Sequence, residues 1–134
     1  MMITAHSDRT ELKAVGILRE FYPGIRWIWK NTLCRVDAYS VTDNVVIEIK
    51  TRTKHYDSLM LEYEKLNSLQ QIARELEMQS LYAVETPRGL WCWNVTDLSP
   101  VWDVLELPYS TVDNKPNIRK RVTFLNIANA TQVF

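Results

Sequence analysis

The chain has 134 residues, 46% of them hydrophobic, and its sixteen basic residues are balanced by sixteen acidic ones. That is enough apolar material for one globular domain with a real core, and the zero formal charge excludes a generalised affinity for nucleic acid, so any polyanion contact must come from local cation clusters or a bridging metal. No segment approaches the roughly eighteen apolar residues of a membrane span and the N-terminus lacks a long apolar run, which argues against membrane insertion and secretion and points to the cytoplasm.

In chain order, the first element is a helix in DRTELKAVGILREFYPG, with Ser7 or Asp8 as its cap and an apolar stripe through Leu12, Val15, Leu18 and Phe21. Glu11 falls in its first turn, and Glu20 is the competing helical carboxylate. A glutamate at a helix start is also favoured simply by the helix dipole. Pro23-Gly24 ends the helix, and Ile25 to Trp29 reads as a strand that feeds a hairpin, so that the helix can pack beside Asp37 and offer Glu11.

The hairpin lies in RVDAYSVTDNVVIEIK. Val45, Ile47 and Ile49 occupy one face of a period-two strand, and Val46, Glu48 and Lys50 the other. A turn centred on Thr42-Asp43 places Asp37 opposite Glu48, whereas one centred on Asp43-Asn44 places it opposite Lys50. Both registers put the three side chains on a common face. Facing carboxylates repel unless a proton or cation lies between them, and an all-oxygen set suits a hard ion such as Mg²⁺. A charged lysine cannot ligate, but it can orient a water nucleophile or neutralise charge developing on a phosphoryl oxygen. The alternative is a salt-bridged ladder on a solvated sheet.

The order helix glutamate, Asp37, then Glu48-Ile49-Lys50 resembles the PD-(D/E)xK nuclease superfamily, which includes restriction endonucleases, archaeal Holliday junction resolvases and phage exonucleases. Val36 stands where the first motif often has proline. The resemblance implies an α/β fold with a restriction endonuclease-like core, a mixed β-sheet flanked by helices. It also implies metal-dependent hydrolysis of DNA phosphodiesters to leave a 5′-phosphate, in a small phage or prokaryotic protein, within the host cytoplasm if viral. Asp37, Glu48, the Ile49 carbonyl and Glu11 would hold Mg²⁺, with Mn²⁺ able to substitute, and Lys50 would position or activate water.

Beyond the motif a long helix is expected from Ser58 to Met78, capped by Asp57 or Ser58, with Leu59, Leu66, Leu69, Ile72, Ala73 and Leu76 on its apolar face. Lys65 lies within it. The segment is similar to the post-motif helix of several superfamily nucleases, where a lysine or glutamine approaches the active site, although a solvated helix lysine fits the pattern as well. His55 and Tyr56 sit at the strand-to-helix junction, where they could contact substrate although no spacing demands it. LYAVET and LWCWNV then read as strands around the turn Pro87-Arg88-Gly89, which takes the resemblance over residues 8 to 96.

The remainder is expected as a C-terminal extension of a single domain, 1–134. Val101 to Leu107 reads as a short helix or strand, Pro108 to Asn117 as a loop, and IRKRVTFLNI as a late edge strand. Arg119, Lys120 and Arg121 form a compact basic run. Together with Arg52, Lys54, Lys65 and Arg88 they are candidate phosphate contacts, or else a solvated charge cluster. The tryptophan pairs WIW and WCW each put both rings on one face, which core packing explains more economically than base stacking. Cys34 and Cys92 lack metal-ligand spacing and read as buried thiols, while His6 and His55 are too isolated for a metal site. The expected partners are DNA and a second copy or a larger protein complex, with no membrane. Two rivals are an inactive nuclease-like module that binds DNA or protein, and an unrelated α/β protein in which the charged cluster is structural.

Overall fold

The computed structural model describes residues 13–27, 36–108 and 117–133. His6, Ser7, Asp8, Glu11, Leu12, Trp29, Cys34 and residues 109–116, where a loop is expected, lie outside these.

The described chain is mixed α/β. A six-stranded sheet has the order β1 (Arg26–Trp27), β2 (Ala38–Ser40), β3 (Val45–Thr51), β5 (Gln79–Thr86), β6 (Gly89–Asn94), β9 (Gln132–Val133). β3 and β5 run parallel, and every other pair in this sheet is antiparallel. A three-stranded antiparallel sheet has the order β4 (Ser58–Glu62), β8 (Asn117–Asn126), β7 (Asp103–Pro108).

The alternation read in VVIEIK separates two cores. Helix α1, described over 13–18, buries Ala14, Val15 and Leu18 against Val45, Ile47 and Ile49. Helix α2 (Tyr63–Leu76) buries Leu66, Leu69 and Ala73 on the other face, against Val46, Tyr82, Val84, Trp91 and Trp93. Each fully buried Leu, Ile or Val contributes about 1.5–3 kcal/mol, so both faces of the central strands are anchored. Trp91 and Trp93 are core residues, as the WCW spacing requires. Phe21 does not join the α1 stripe. The helix ends at residue 18, the chain turns through Tyr22 N–H to Leu18 O at 2.8 Å, and the Phe21 ring is 53% exposed.

The hairpin closes on Ser40 opposite Val45, with Ala38 opposite Ile47. This selects the register centred on Thr42-Asp43. Asn44 takes the left-handed conformation, φ 59°, that returns the chain to β3. Gly24 abuts this turn: its N–H donates to Asp43 Oδ2 at 3.3 Å, and a Cβ there would collide with Thr42 Oγ1. Glycine is therefore required by close approach rather than by backbone angle.

The segment after the motif departs from expectation. Residues Ser58–Glu62 are a strand, and the helix starts only at Tyr63. Leu59 and Leu61 alternate into the α2 core while Ser58, Met60 and Glu62 face the other way, so pairing with β8 prevails over helical spacing. Asp57 and Ser58 thus cap nothing; Glu62 holds the N-cap position without a side-chain cap bond, and Leu76 is 51% exposed. Glu77 closes α2 in the left-handed conformation, donating to the Ala73 and Arg74 carbonyls. Gln70 Nε2 ties the helix to the loop after β6 through the Val95 and Leu98 carbonyls, both at 2.8 Å.

IRKRVTFLNI forms most of β8, which is the central strand of the second sheet rather than an edge. Of the two readings for Val101 to Leu107, a strand forms, over Asp103–Pro108. The C-terminal segment is woven into both sheets, because β8 pairs β4 and β9 pairs β6.

Candidate active site

Asp37 and Glu48 are 2% and 6% exposed, Asp37 immediately before β2 and Glu48 in the middle of β3. Asp37 N–H donates to Ile47 O at 3.0 Å, and Asp37 Oδ2 accepts from Ile49 N–H at 2.7 Å. One carboxylate oxygen is thereby pinned to β3, and the side chain is fixed beside the Glu48-Ile49-Lys50 run.

Lys50 is part-buried on the same face as Glu48. Burial pushes its pKa below the ordinary lysine value, and the nearby Arg52 and Lys65 cations push it the same way. Glu62 and Glu48 oppose them. A lysine in such a position loses its proton more readily than a solvated one and remains a hydrogen-bond donor in either state.

These charges identify the neighbours of the site. Lys65, on the first turn of α2, places Nζ 3.9 Å from Glu48 Oε1, so it approaches the site rather than pointing into bulk water. Glu62 was not evident from the sequence. The strand β4 carries it to Lys50, and its Oε1 accepts from Lys120 Nζ at 2.9 Å across to β8. The alternation of Leu59 and Leu61 with Met60 and Glu62 was the available signal, obscured by the helical run that follows. Tyr82, opposite Glu48 on β5, donates its hydroxyl to Met60 O at 3.1 Å, and burial raises its pKa.

The basic run divides. Lys120 is engaged by Glu62, whereas Arg121 stacks its guanidinium 3.5 Å from the Tyr63 ring centre. Arg119, Lys120, Arg121 and Lys65 line one groove of about 620 Å³ with Glu62 on its wall. Arg52, directly after β3, lines a second groove. Lys54 and Arg88 are exposed on loops. His55 has a structural role: Nδ1 lies 2.9 Å from Thr86 Oγ1, and the ring packs 4.8 Å from Trp91.

Helix α1 covers the face opposite Glu48 and Lys50, and its first described residue, Lys13, pairs with Glu85 at 3.7 Å. Glu11 lies outside the described residues. Among the described residues no three His, Cys, Asp or Glu side chains gather into a metal-binding cluster. Likewise, no helix among them is long and apolar enough to cross a membrane.

No known family model matches the chain, and no curated protein matches it. Among solved structures it is similar to Hjc, a Holliday junction resolvase from the archaeal hyperthermophile Archaeoglobus fulgidus. The TM-score is 0.60 at 16% sequence identity, over 97% of this chain and 91% of that one. The likeness shows a shared fold, and it extends past residue 96 to include the second sheet.

Proposed function

We propose that the chain is a metal-dependent nuclease that hydrolyses DNA phosphodiesters, acting as an endonuclease through Asp37, Glu48 and Lys50. The observation that carries this reading is a buried Asp37 pinned to β3 by the Ile49 N–H, with Glu48 buried next to Ile49 and a lysine of lowered pKa on the Glu48 face. A resolvase-like fold across nearly the whole chain supports it.

The oxygen donors fit Mg²⁺, which is commonly bound through one or two carboxylates and keeps several waters. Asp37 and Glu48 would hold it, with the Ile49 carbonyl and Glu11 as further ligands, and Mn²⁺ would substitute. When bound, the ion supplies Lewis-acid stabilisation of the phosphoryl oxygens. The chain's own residues do the rest. Asp37, fixed by Ile49 N–H, presents a positioned carboxylate, and Lys50 orients the attacking water and donates to the developing charge. Lys65 and the Arg119–Arg121 run draw the phosphate backbone into the 620 Å³ groove. The whole chain acts as one domain of the cytoplasm, and a second copy or a larger complex would present the second strand.

Cleavage of labelled linear, branched and single-stranded DNA with Mg²⁺, Mn²⁺ or EDTA tests this. Wild type should give metal-dependent products, and Asp37→Asn or Lys50→Ala, with unchanged Tm, should lose at least about a hundredfold in rate. Folded wild type that cuts none of these substrates sinks the reading. The second reading, an inactive nuclease-like module, is favoured by the lack of a third acidic ligand among the described residues. It requires DNA or protein binding that is indifferent to Mg²⁺ and survives Asp37→Asn. Sedimentation mass with and without DNA decides the dimer.

A further inference from the structure

The face of the second sheet that carries Glu62 also carries an apolar groove. Met60 lies two residues before Glu62 on β4, so their side chains share a face about 7 Å apart along the strand. Phe124 is Met60's partner on β8, and Lys120, the partner of Glu62 in the ion pair, lies further along the same face of β8. Met60, Phe124, Tyr56 and Arg52 line a groove of about 530 Å³ whose walls are almost entirely apolar. The Tyr56 and Phe124 rings are 59% and 48% exposed, an arrangement that folding alone does not call for.

Arg52 lies two residues after Lys50, extends the β3–β5 ladder through its N–H to Glu85 O at 2.8 Å, and lines this groove. The motif is thus flanked by two grooves, one lined by Glu62 and by the Lys65 that approaches Glu48, the other by Met60, two residues before Glu62, and by Arg52, two residues after Lys50. For a polyanion whose phosphate sits at Lys50, the adjoining groove offers the rings to a neighbouring base and the Arg52 guanidinium to the next phosphate along the strand. Exposed aromatic side chains offer bases a π-face without sequence preference, and a paired, stacked base cannot reach them.

We infer that the groove of Tyr56, Met60 and Phe124 is a stacking subsite for an unpaired nucleobase next to the phosphate held at Asp37, Glu48 and Lys50, so that the substrate is single-stranded at that flank. This rests on the nuclease reading for the identity of the polyanion.

The test is anisotropy binding of labelled oligo-dT and of the same backbone bearing abasic sites, in EDTA so that the strands stay whole. Wild type should bind oligo-dT about tenfold tighter than the abasic strand. Tyr56→Ala and Phe124→Ala should each reduce that preference severalfold while leaving abasic binding unchanged; both rings are half exposed, and an unchanged Tm checks folding. Equal affinity for the two strands, binding of neither, or variants that keep the full preference would overturn the inference. Variants that change sedimentation mass and not DNA binding would make the groove a protein face and overturn it equally. A base preference without any metal-dependent cleavage would remove the nuclease reading and leave the groove; cleavage without a base preference would do the reverse.

Discussion

Gly24 shows how one residue away from the chemistry sets the hairpin that carries it. The turn is organised by Asp43, whose carboxylate accepts from the Ser40 hydroxyl and whose N–H donates to Ser40 Oγ at 3.1 Å. A Cβ on residue 24 would strike the Thr42 and Ser40 hydroxyls, so Gly24→Ala must displace the turn that joins the Asp37 segment to β3. The expected cost is about 1–3 kcal/mol in urea unfolding, together with reduced turnover in the surviving fold. Cys92 is a different case, a buried thiol in the α1 core whose pKa burial raises to about 12 from 9.0. Its folded pKa lies above the unfolded one, so stability is unaffected below pH 9, and falls between 9 and 12 as the unfolded chain loses the proton that the native state keeps. Alkylation of Cys92 at pH 8, read by peptide mass spectrometry, should therefore track unfolding. Rapid labelling of native protein would contradict its placement.

At the scale of elements, β4 decides how much the sequence discloses. The strand β3 and the turn are legible because apolar and charged residues alternate through Val45 to Lys50, and that periodicity fixes both faces. Leu59, Leu66, Leu69 and Ala73 also fit a helical stripe, which is why Ser58–Glu62 reads as the start of α2 until β8 is available as a partner. The edge of β4 depends on residues more than fifty positions away, and no local pattern contains that information. Glu62 was missed for the same reason, as was the engagement of Lys120. Conversely, the lone Lys65 could be placed on a helix from sequence, but its approach to Glu48 follows only once α2 begins at Tyr63. If β4 is held by the inward leucines, Leu61→Ala, at 1% exposure, should cost about 2–4 kcal/mol in chemical denaturation. Met60→Ala, on the part-exposed face, should cost clearly less, and equal losses would mean that the strand is not anchored by its alternation.

For the molecule as a whole, zero formal charge and a proposed polyanionic substrate are reconciled by where the charges sit. Acidic residues occupy the interior of the site, with Asp37 and Glu48 buried, while Lys65, Arg119, Lys120 and Arg121 line the groove beside them. Affinity for DNA should then depend on a few cations rather than on the mean field. Each phosphate neutralised releases condensed counterion, giving a slope of log K against log salt of about −0.9 per contact on duplex and about −0.7 on single strands. Arg119 stands at an exposed position opposite Glu106 on β7, whereas Lys120 is already neutralised by Glu62 at 2.9 Å. Arg119→Ala should accordingly weaken binding to every sequence alike and flatten the salt slope by about one unit. Lys120→Ala should flatten it less and act through release of the Glu62 carboxylate. A salt titration of DNA binding by the two variants separates these effects. A slope unchanged by Arg119→Ala would move the phosphate path away from the 620 Å³ groove and toward Arg52.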